Sequence, residues 1–222
     1  MTTQDPASVE RPLGRTIDLT AVGGTAARIE EAALDLFFEH GYRSTSMRDI
    51  AQACGITAAA LYNHFPSKDQ ILYAMVHRLH EELENAIDTA LAKAGDDPRE
   101  QLAAIVRAHA IIHTRHRKDA HVANSEIFAL EEPGRSVVVE SRRRMAETFR
   151  ATIDAGVAKE IFHVEDVLVT SFAIINMGIR MAEWFQPDGR LTAEEVADDH
   201  AALALRMAGA KRKRNGSGKA RR

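Results

Sequence analysis

The chain has 222 residues, 45% of them hydrophobic, with 29 Lys and Arg against 32 Asp and Glu. This length and composition suit one helical domain plus a small module. No apolar run approaches the ~20 residues that a membrane-spanning helix needs, and the N-terminus lacks the apolar core of a secretory signal, so we expect a cytoplasmic protein without a membrane partner. The single cysteine, Cys54, excludes an internal disulfide and fits a reducing compartment.

Charge is unevenly distributed. Seven of the 29 Lys and Arg lie in the last twelve residues, which contain no Asp or Glu, so the remaining residues carry 22 positive and 32 negative side chains. Such an acidic body excludes DNA binding through global charge and requires a local basic surface instead. Residues 210–222 are predicted to be a basic disordered tail, which either only solubilises the chain or adds non-specific attraction to DNA. Residues 1–24 lack periodicity and predict a flexible N-terminal arm.

The first helix is predicted from about Thr25 to His40, and the segment after it has the pattern of two short helices joined by a tight turn. Ser46 can cap the first short helix together with Asp49, in an acidic variant of the capping box. Gly55 follows that helix, and glycine ends helices because it adopts the left-handed conformation without a Cβ clash.

The second short helix is predicted at residues 58–65, with Thr57 as its N-cap. Leu61 and Phe65 are spaced i, i+4 and can anchor it to the core. A helix, a turn with glycine and a second short helix form a helix-turn-helix, the unit that places its second helix in the DNA major groove.

The residues predicted to contact DNA face outward from this segment or lie at helix starts. Small side chains let the backbone approach the groove, Tyr62 offers a phenol to a phosphate, and Asn63 and His64 offer hydrogen-bond donors and acceptors. Lys68 begins the next helix, where backbone N–H groups and the helix dipole favour phosphate. The predicted DNA-binding residues are Arg28, Thr45, Ser46, Arg48, Thr57, Ala58, Ala59, Tyr62, Asn63, His64 and Lys68.

The run Thr-Ser-Met-Arg-Asp-Ile-Ala, followed by Gly-Ile-Thr and Leu-Tyr-Asn-His-Phe-Pro-Ser-Lys, resembles the TetR family of bacterial transcriptional regulators. The alternative is a helix-turn-helix used only for packing. The resemblance implies an all-α homodimer. It would have a three-helix DNA-binding domain at residues 25–68 and, at residues 69–209, a C-terminal helical bundle that binds a small effector and dimerises.

Further helices and no strand are predicted in the rest of the chain. The fourth helix, about 67–94, is amphipathic and would span about 40 Å, which suits a connector between the two domains. The remaining helices are predicted at about 98–116, 119–130, 135–159, 164–185 and from residue 193 onward. The segment 164–185 is apolar on more than one face, and the resemblance implies that it and the last helix form a four-helix dimer interface. Arg142, Arg143 and Arg144 are predicted to form a solvated basic face.

The effector is expected between helices, among apolar and aromatic residues with a few polar groups. Asn176 and Arg180 are spaced i, i+4, with Trp184 one turn further, and this line could orient an anionic ligand such as an acyl-coenzyme A thioester, which some members of the resembled family use. Alternatively, Arg180 pairs with a partner-chain carboxylate and Trp184 anchors the dimer. The predicted ligand-binding residues are His109, His113, Phe128, Phe149, Phe172, Asn176, Arg180 and Trp184.

His109 and His113 also have the i, i+4 spacing of zinc ligands, but no Glu follows His109 and no cysteine is nearby. We therefore predict ordinary polar or pocket-lining histidines, and neither a metal nor a cofactor. No nucleophile, base and orienting group assemble in the sequence, so we predict that the chain is not an enzyme.

The sequence thus predicts a ligand-responsive transcriptional regulator. The specific hypothesis is a homodimeric repressor that a small molecule, for example an acyl-coenzyme A or another lipid-derived compound, releases from a palindromic operator. The alternatives are an activator of the same family, a small-molecule or metal sensor without DNA function, and a helical-bundle enzyme.

Overall fold

The computed structural model describes residues 24–210, and within this range the chain forms α-helices and one 3-10 turn, with no strand. The predicted all-α fold is therefore confirmed. The predicted N-terminal arm, up to residue 23, and the basic tail, from residue 211, lie outside the described residues.

The first four helices carry the helix-turn-helix and the connector. They are α1 (Thr25–His40), α2 (Met47–Cys54), α3 (Ala58–His64) and α4 (Lys68–Lys93). The other helices build the larger bundle. They are α5 (Pro98–Arg115), α6 (Arg117–Ser125), α7 (Gly134–Ala158), α8 (Val167–Ile179), α9 (Met181–Trp184) and α10 (Ala193–Met207).

Two predicted helices are shorter than expected. The one predicted at 119–130 ends at Ser125, and a 3-10 turn follows at Ile127–Ala129. The one predicted at 164–185 is divided at Arg180 into α8 and α9. The turn tightens there, because the Glu183 N–H donates to the Arg180 carbonyl at 3.1 Å, an i→i−3 bond in place of the α-helical pattern.

Helix α4 runs from the helix-turn-helix into the middle of the bundle. Its 26 residues span about 39 Å at 1.5 Å per residue. The predicted apolar stripe is buried, from Ile71 near one end to Ile87 near the other. The two parts of the chain therefore share one continuous hydrophobic core along α4.

Helix α6 makes a second connection between the bundle and the DNA-binding part. The Lys118 ammonium lies 2.5 Å from the Asp35 carboxylate of α1. The His121 ring packs edge-on against Phe38 of α1, with centroids 5.1 Å apart. A shift of α6 would therefore be transmitted directly to α1.

A large apolar surface on α8, α9 and α10 is exposed in the single chain. Its exposed side chains are Leu168, Val169, Phe172, Trp184, Leu203 and Met207. By length and composition alone, residues 167–184 would qualify as a membrane span, with a mean hydropathy of 1.2. This corrects the expectation that no apolar run approaches that length. However, α8 itself has 13 residues and reaches only about 20 Å, against roughly 30 Å of membrane hydrocarbon.

Candidate DNA-binding surface and ligand cavity

The helix caps and the glycine turn of the helix-turn-helix are formed as the sequence predicted. Asp49 accepts a hydrogen bond from the Ser46 N–H at 2.7 Å, and the Ser46 hydroxyl accepts one from the Asp49 N–H at 3.2 Å. These bonds complete the capping box. The Ser46 hydroxyl also donates to the Asp49 carboxylate at 2.6 Å, and this bond, together with that from the Ser46 N–H, lowers the pKa of the Asp49 carboxyl. Gly55 is left-handed, with φ 66°. The Thr57 hydroxyl accepts from the Ala60 N–H at 3.1 Å and caps α3.

Helix α3 is anchored on one side and open on the other. Leu61 and Phe65 are buried, as their spacing predicted. Tyr62 is 51% exposed, and Asn63 and His64 are exposed beside it. Ala59 is also exposed, so small and polar side chains make up the free face of a short helix that follows a tight turn. This is the arrangement with which a helix-turn-helix enters the major groove.

The flanking residues of this surface differ in how freely they can reach DNA. Arg48 is exposed, and no ion pair among residues 24–210 includes it. Arg28 is exposed but its Nη2 donates to the Cys54 carbonyl at 2.9 Å, which ties α1 to the end of α2. Ser46 and Thr57 are exposed at helix starts, but the Ser46 N–H already donates to the Asp49 carboxylate. The N–H groups that suit phosphate there are those that the caps leave free in the first turns of α2 and α3.

Two predicted DNA contacts have internal roles instead. The Lys68 ammonium donates to the Tyr42 carbonyl at 2.6 Å and to the Thr45 carbonyl at 2.7 Å, and it lies 4.1 Å from the centre of the Tyr42 ring. Thr45 is buried, and its hydroxyl donates to the Gly41 carbonyl at 3.0 Å. The structure thus places both side chains under the α1–α2 connection rather than on the outer face. The sequence could not show this, because a lysine at a helix start is chemically suited to either role.

Replacing Lys68 by methionine is expected to lower the free energy of unfolding by about 1–3 kcal/mol, because two partly buried carbonyl oxygens lose their donor. Urea unfolding measures this effect. The control, Arg48→Met, removes an exposed cation from the same surface, and we expect it to weaken DNA binding while leaving the unfolding midpoint unchanged. If Lys68→Met kept full stability and lost only DNA affinity, Lys68 would be a phosphate contact after all.

A cavity of about 230 Å³ lies between the helices of the bundle. Its apolar wall includes Leu79, Met145 and Phe172, and its polar wall is made by His80, His113, Asn124, Arg142 and Asn176. A depression of about 360 Å³ near His163 is larger, but it lies on the loop after α7 and its lining is mostly exposed. The bundle cavity is partly open, and its mixture of apolar groups and buried polar groups makes it the better ligand site.

Arg142 is the cationic group of this cavity, which corrects the prediction that it lies on a solvated face. Its Nε donates to His80 Nε2 at 3.1 Å, and its Nη2 donates to the Ala123 carbonyl at 2.9 Å and to Asn124 Oδ1 at 3.1 Å. Burial lowers the pKa of the guanidinium. The neighbours Arg143 and Arg144 are exposed and paired with Glu140 and Glu84, as a solvated face requires.

The histidines around the cavity are buried and uncharged at neutral pH. Burial lowers the pKa of His80 and of His113 to about 4, with Arg142 adding to the effect in both cases. Burial also lowers the pKa of His109 well below its ordinary value. His80 and His113 each place Nδ1 on the carbonyl one turn earlier, at 2.7 and 2.9 Å. We assign the proton to Nδ1, so Nε2 of both rings is an acceptor.

The structure brings together only part of the predicted ligand site. His113, Phe172 and Asn176 line the cavity. His109 and Phe149 are buried behind it, with the His109 ring 4.2 Å from that of His113. Within residues 24–210 there is no group of three or more side chains arranged to hold a metal ion.

Three predicted ligand residues lie elsewhere. Phe128 is 87% exposed in the 3-10 turn. Arg180 is exposed and pairs with Glu183, and Trp184 is half-exposed and stacks on His200. Of the predicted line of Asn176, Arg180 and Trp184, only Asn176 lines the cavity, although the Arg180 N–H still donates to the Asn176 carbonyl at 3.2 Å.

The polar residues missed by the prediction had a usable signal. Arg142 lies four residues after Val138 and three before Met145, so it falls on the buried stripe of α7. His80 likewise lies four residues after the buried Val76. A charged or polar residue on an apolar stripe indicates a cavity or a network, and this spacing outweighs the run of three arginines.

The chain is similar to repressors of known function. It is 25% identical over 197 residues to the HTH-type transcriptional repressor KstR2 of Rhodococcus jostii, covering 85% of this chain and 93% of that protein. It is 29% identical over 183 residues to KstR2 of Mycolicibacterium smegmatis, covering 79% and 86%.

Solved structures of similar proteins extend along the same length. A TetR-family regulatory protein from Rhodococcus RHA1 superposes with a TM-score of 0.79 at 29% identity, covering 85% of this chain and 99% of that one. The regulator PfmR of Thermus thermophilus gives 0.74 at 37% identity, covering 81% and 97%. AibR, in complex with isovaleryl coenzyme A and operator DNA, gives 0.74 at 26% identity, covering 85% and 100%.

Two family descriptions match complementary parts of the chain. "Bacterial regulatory proteins, tetR family" matches residues 29–75, which include the helix-turn-helix, and "Tetracyclin repressor-like, C-terminal domain" matches residues 95–208. Both describe transcriptional regulators, which confirms the prediction that the chain is not an enzyme. The chain belongs to the TetR family of bacterial transcriptional regulators.

Proposed function

We propose that this protein is a homodimeric transcriptional repressor that a small molecule releases from a palindromic operator. The observation that carries the proposal is the free face of α3, on which Tyr62, Asn63 and His64 stand beside a buried anchor of Leu61 and Phe65. Two such helices in a dimer, about 34 Å apart, would read successive major grooves. Because its target is bacterial DNA, we place the protein in the cytoplasm.

The proposed DNA-binding domain is residues 25–68. Within it, Ala58, Ala59, Asn63 and His64 would face base edges, whereas Tyr62 and Arg48 would bind phosphates. The first turns of α2 and α3, which follow the caps Ser46 and Thr57, would offer N–H groups to the DNA backbone. Arg28 would contribute through its position on α1, next to the end of α2.

The proposed effector and dimerisation domain is residues 69–209. Its dimer face is the exposed apolar surface of α8, α9 and α10. Six large apolar side chains exposed on three helices that follow one another in the chain favour a protein interface, since isolated chains rarely leave so much apolar surface in water. Burying it against its own copy would form a four-helix interface with twofold symmetry.

The cavity is placed to control the DNA-binding domain. Arg142 contacts α6 through the Ala123 carbonyl and Asn124, and α6 in turn contacts α1 through Lys118 and Asp35. A ligand that changes the Arg142 contacts would thus shift α6 and α1 together. Its effect on DNA affinity cannot exceed its differential affinity for the two conformers.

The complex of the relative AibR with isovaleryl coenzyme A and operator DNA supports an acyl-coenzyme A as a candidate effector. The cavity of about 230 Å³ is below the roughly 300–1,000 Å³ of sites for drug-sized ligands. It would enclose a short acyl group, and the nucleotide part of a coenzyme A thioester would lie outside it.

Fluorescence anisotropy with the protein's own upstream DNA, titrated with acyl-coenzyme A thioesters and short acids, tests the proposal. Sequence-preferring binding that one compound releases would support a repressor. Binding that a compound strengthens would indicate an activator instead. Weak binding that is indifferent to sequence on every upstream fragment would favour a sensor without DNA function.

Tyr62→Ala is expected to weaken binding to operator and to random DNA by a similar factor, at least about tenfold for each half-site, because a hydrogen bond to a phosphate contributes roughly 1.5–3 kcal/mol. The measurement is the same anisotropy titration at two salt concentrations. Phe128→Ala, which removes an exposed aromatic residue of the 3-10 turn, serves as the control and should leave both affinities unchanged. Loss of sequence preference alone in Tyr62→Ala would show that Tyr62 reads bases.

A further inference from the structure

We propose that Arg142 is the binding site for a carboxylate, and that the ligand of the bundle cavity is a short apolar chain that ends in this group. The inference rests on the proposed function in one respect only, the choice of this cavity as the effector site. It adds the chemical class of the ligand and the residues that select it.

The Arg142 guanidinium has no counter-charge among the described residues. No ion pair among residues 24–210 includes Arg142, and its three hydrogen bonds go to an imidazole, an amide oxygen and a backbone carbonyl, all of them neutral. Glu84 lies on the same helix as His80, whose pKa its charge raises. Its carboxylate accepts a hydrogen bond from the Ser141 hydroxyl at 2.6 Å and pairs with Arg144 at 2.8 Å, so it is not paired with Arg142. A partly buried guanidinium without a counter-charge is costly, and an anionic ligand would supply that charge.

Arg142 and Asn124 keep hydrogen-bond donors that the described residues do not use. The described hydrogen bonds of Arg142 use Nε and Nη2 and leave the two N–H groups of Nη1 without a partner within residues 24–210. Asn124 accepts from Arg142 through Oδ1, so its amide donors remain available on the same wall. Arg142 and Asn124 lie in hydrogen-bond contact on one wall, and free donors on two adjacent residues, one of them charged, suit the two oxygens of a carboxylate.

The rest of the cavity wall is apolar or neutral. Leu79, Leu83, Met145, Phe172 and Ile175 provide apolar surface, and His113 adds a neutral ring rather than a second cation. At roughly 30 Å³ per water molecule, about 230 Å³ corresponds to about eight water-sized units. This space suits a chain of a few carbon atoms and a terminal carboxylate.

Two kinds of ligand have an apolar chain that ends in a carboxylate. One is a free short-chain acid, and the other is an acyl thioester with a carboxylate at its far end. Both place the same group on Arg142. They differ in whether a bulky group extends out of the cavity.

Isothermal titration calorimetry of the full chain with hexanoate and with its uncharged analogue hexanamide tests the carboxylate site. We expect wild-type protein to prefer the acid by at least about tenfold and Arg142→Gln to lose this preference. Arg143→Gln is the matched control, because Arg143 is the adjacent residue of α7 and pairs with Glu140 on the exposed face. Adipoyl-coenzyme A and hexanoyl-coenzyme A, which differ in the distal carboxylate, distinguish the thioester source.

A purely structural arginine would lower the melting temperature of Arg142→Gln but would not change the ratio of acid to amide affinity. The inference is overturned if wild-type protein binds acid and amide equally, if Arg142→Gln keeps the preference, or if neither hexanoate nor adipoyl-coenzyme A binds. A carboxylate that binds through Arg142 without releasing DNA would leave this site intact and contradict the proposed effector role. The two proposals therefore fail separately.

Discussion

Val169→Glu is expected to convert the protein into a monomer and to weaken operator binding by about 100-fold or more. Val169 lies in the first turn of α8 and, at 64%, is the most exposed of the apolar side chains that form the proposed dimer face. In a twofold interface each substitution places two carboxylates in an apolar contact, where neither has a partner. Operator affinity falls because a dimer that binds two half-sites at once binds roughly 10²–10⁴ times more tightly than a monomer that binds one half-site.

Light scattering after size-exclusion chromatography measures the mass, and anisotropy measures operator affinity. Val139→Glu is the matched control. Val139 is also an exposed valine, at 51%, but it lies on α7, away from the apolar surface of α8, α9 and α10. We expect it to remain dimeric. A dimer that survives Val169→Glu with full operator affinity would show that the chain associates through another face.

The DNA-binding part was predictable because its structure depends on neighbouring residues. Ser46 with Asp49, the left-handed Gly55 and Thr57 with Ala60 are all local hydrogen-bond or backbone requirements. Each restricts the chain within three residues, so the sequence pattern determines the helix starts and the turn. Lys68 was misassigned for the opposite reason, because its carbonyl partners are 23 and 26 residues away.

The ligand site was harder to predict because it is assembled from five helices, α4 to α8. Asn176 and Arg180 do keep the helical i, i+4 register, because the Arg180 N–H donates to the Asn176 carbonyl. Their spacing could not show that Arg180 pairs with Glu183 on the exposed face instead of lining the cavity. Arg142 was predicted to lie on a solvated face because three consecutive arginines are typical of a solvated surface. The heptad-like spacing from Val138 to Met145 was the stronger physical signal, because burial follows helix periodicity rather than local charge.

The fold is expected to lose stability when the pH falls from about 6.5 to 4. His80 and His113 have pKa values lowered to about 4 by burial, and that of His109 is lowered further. The unfolded chain binds protons near an ordinary histidine pKa of about 6.5, so in this window it carries more protons than the folded chain. Stability is therefore fully present above about pH 6.5 and is lost as the pH falls.

The expected loss is large. A pKa lowered to about 4 from an ordinary value near 6.5 corresponds to a loss of about 3 kcal/mol per histidine across that range. His80 and His113 alone would remove on the order of 6 kcal/mol, a substantial part of the roughly 5–15 kcal/mol that stabilises a typical domain. Urea unfolding at a series of pH values should show this decline and, at its lower end, spontaneous acid unfolding.

His113→Leu is expected to remove about half of the loss of unfolding free energy that His80 and His113 together cause between about pH 6.5 and 4. The reason is that leucine at this position binds no proton on unfolding. The stability of the variant above pH 7 should change by about 1 kcal/mol or less, since leucine fills the site and only the bond from Nδ1 to the His109 carbonyl is lost. His163→Gln, which removes an exposed imidazole, is the control and should keep the wild-type curve. If His113→Leu retained the full acid sensitivity, the loss would arise from other groups, and His113 would be charged in the folded protein.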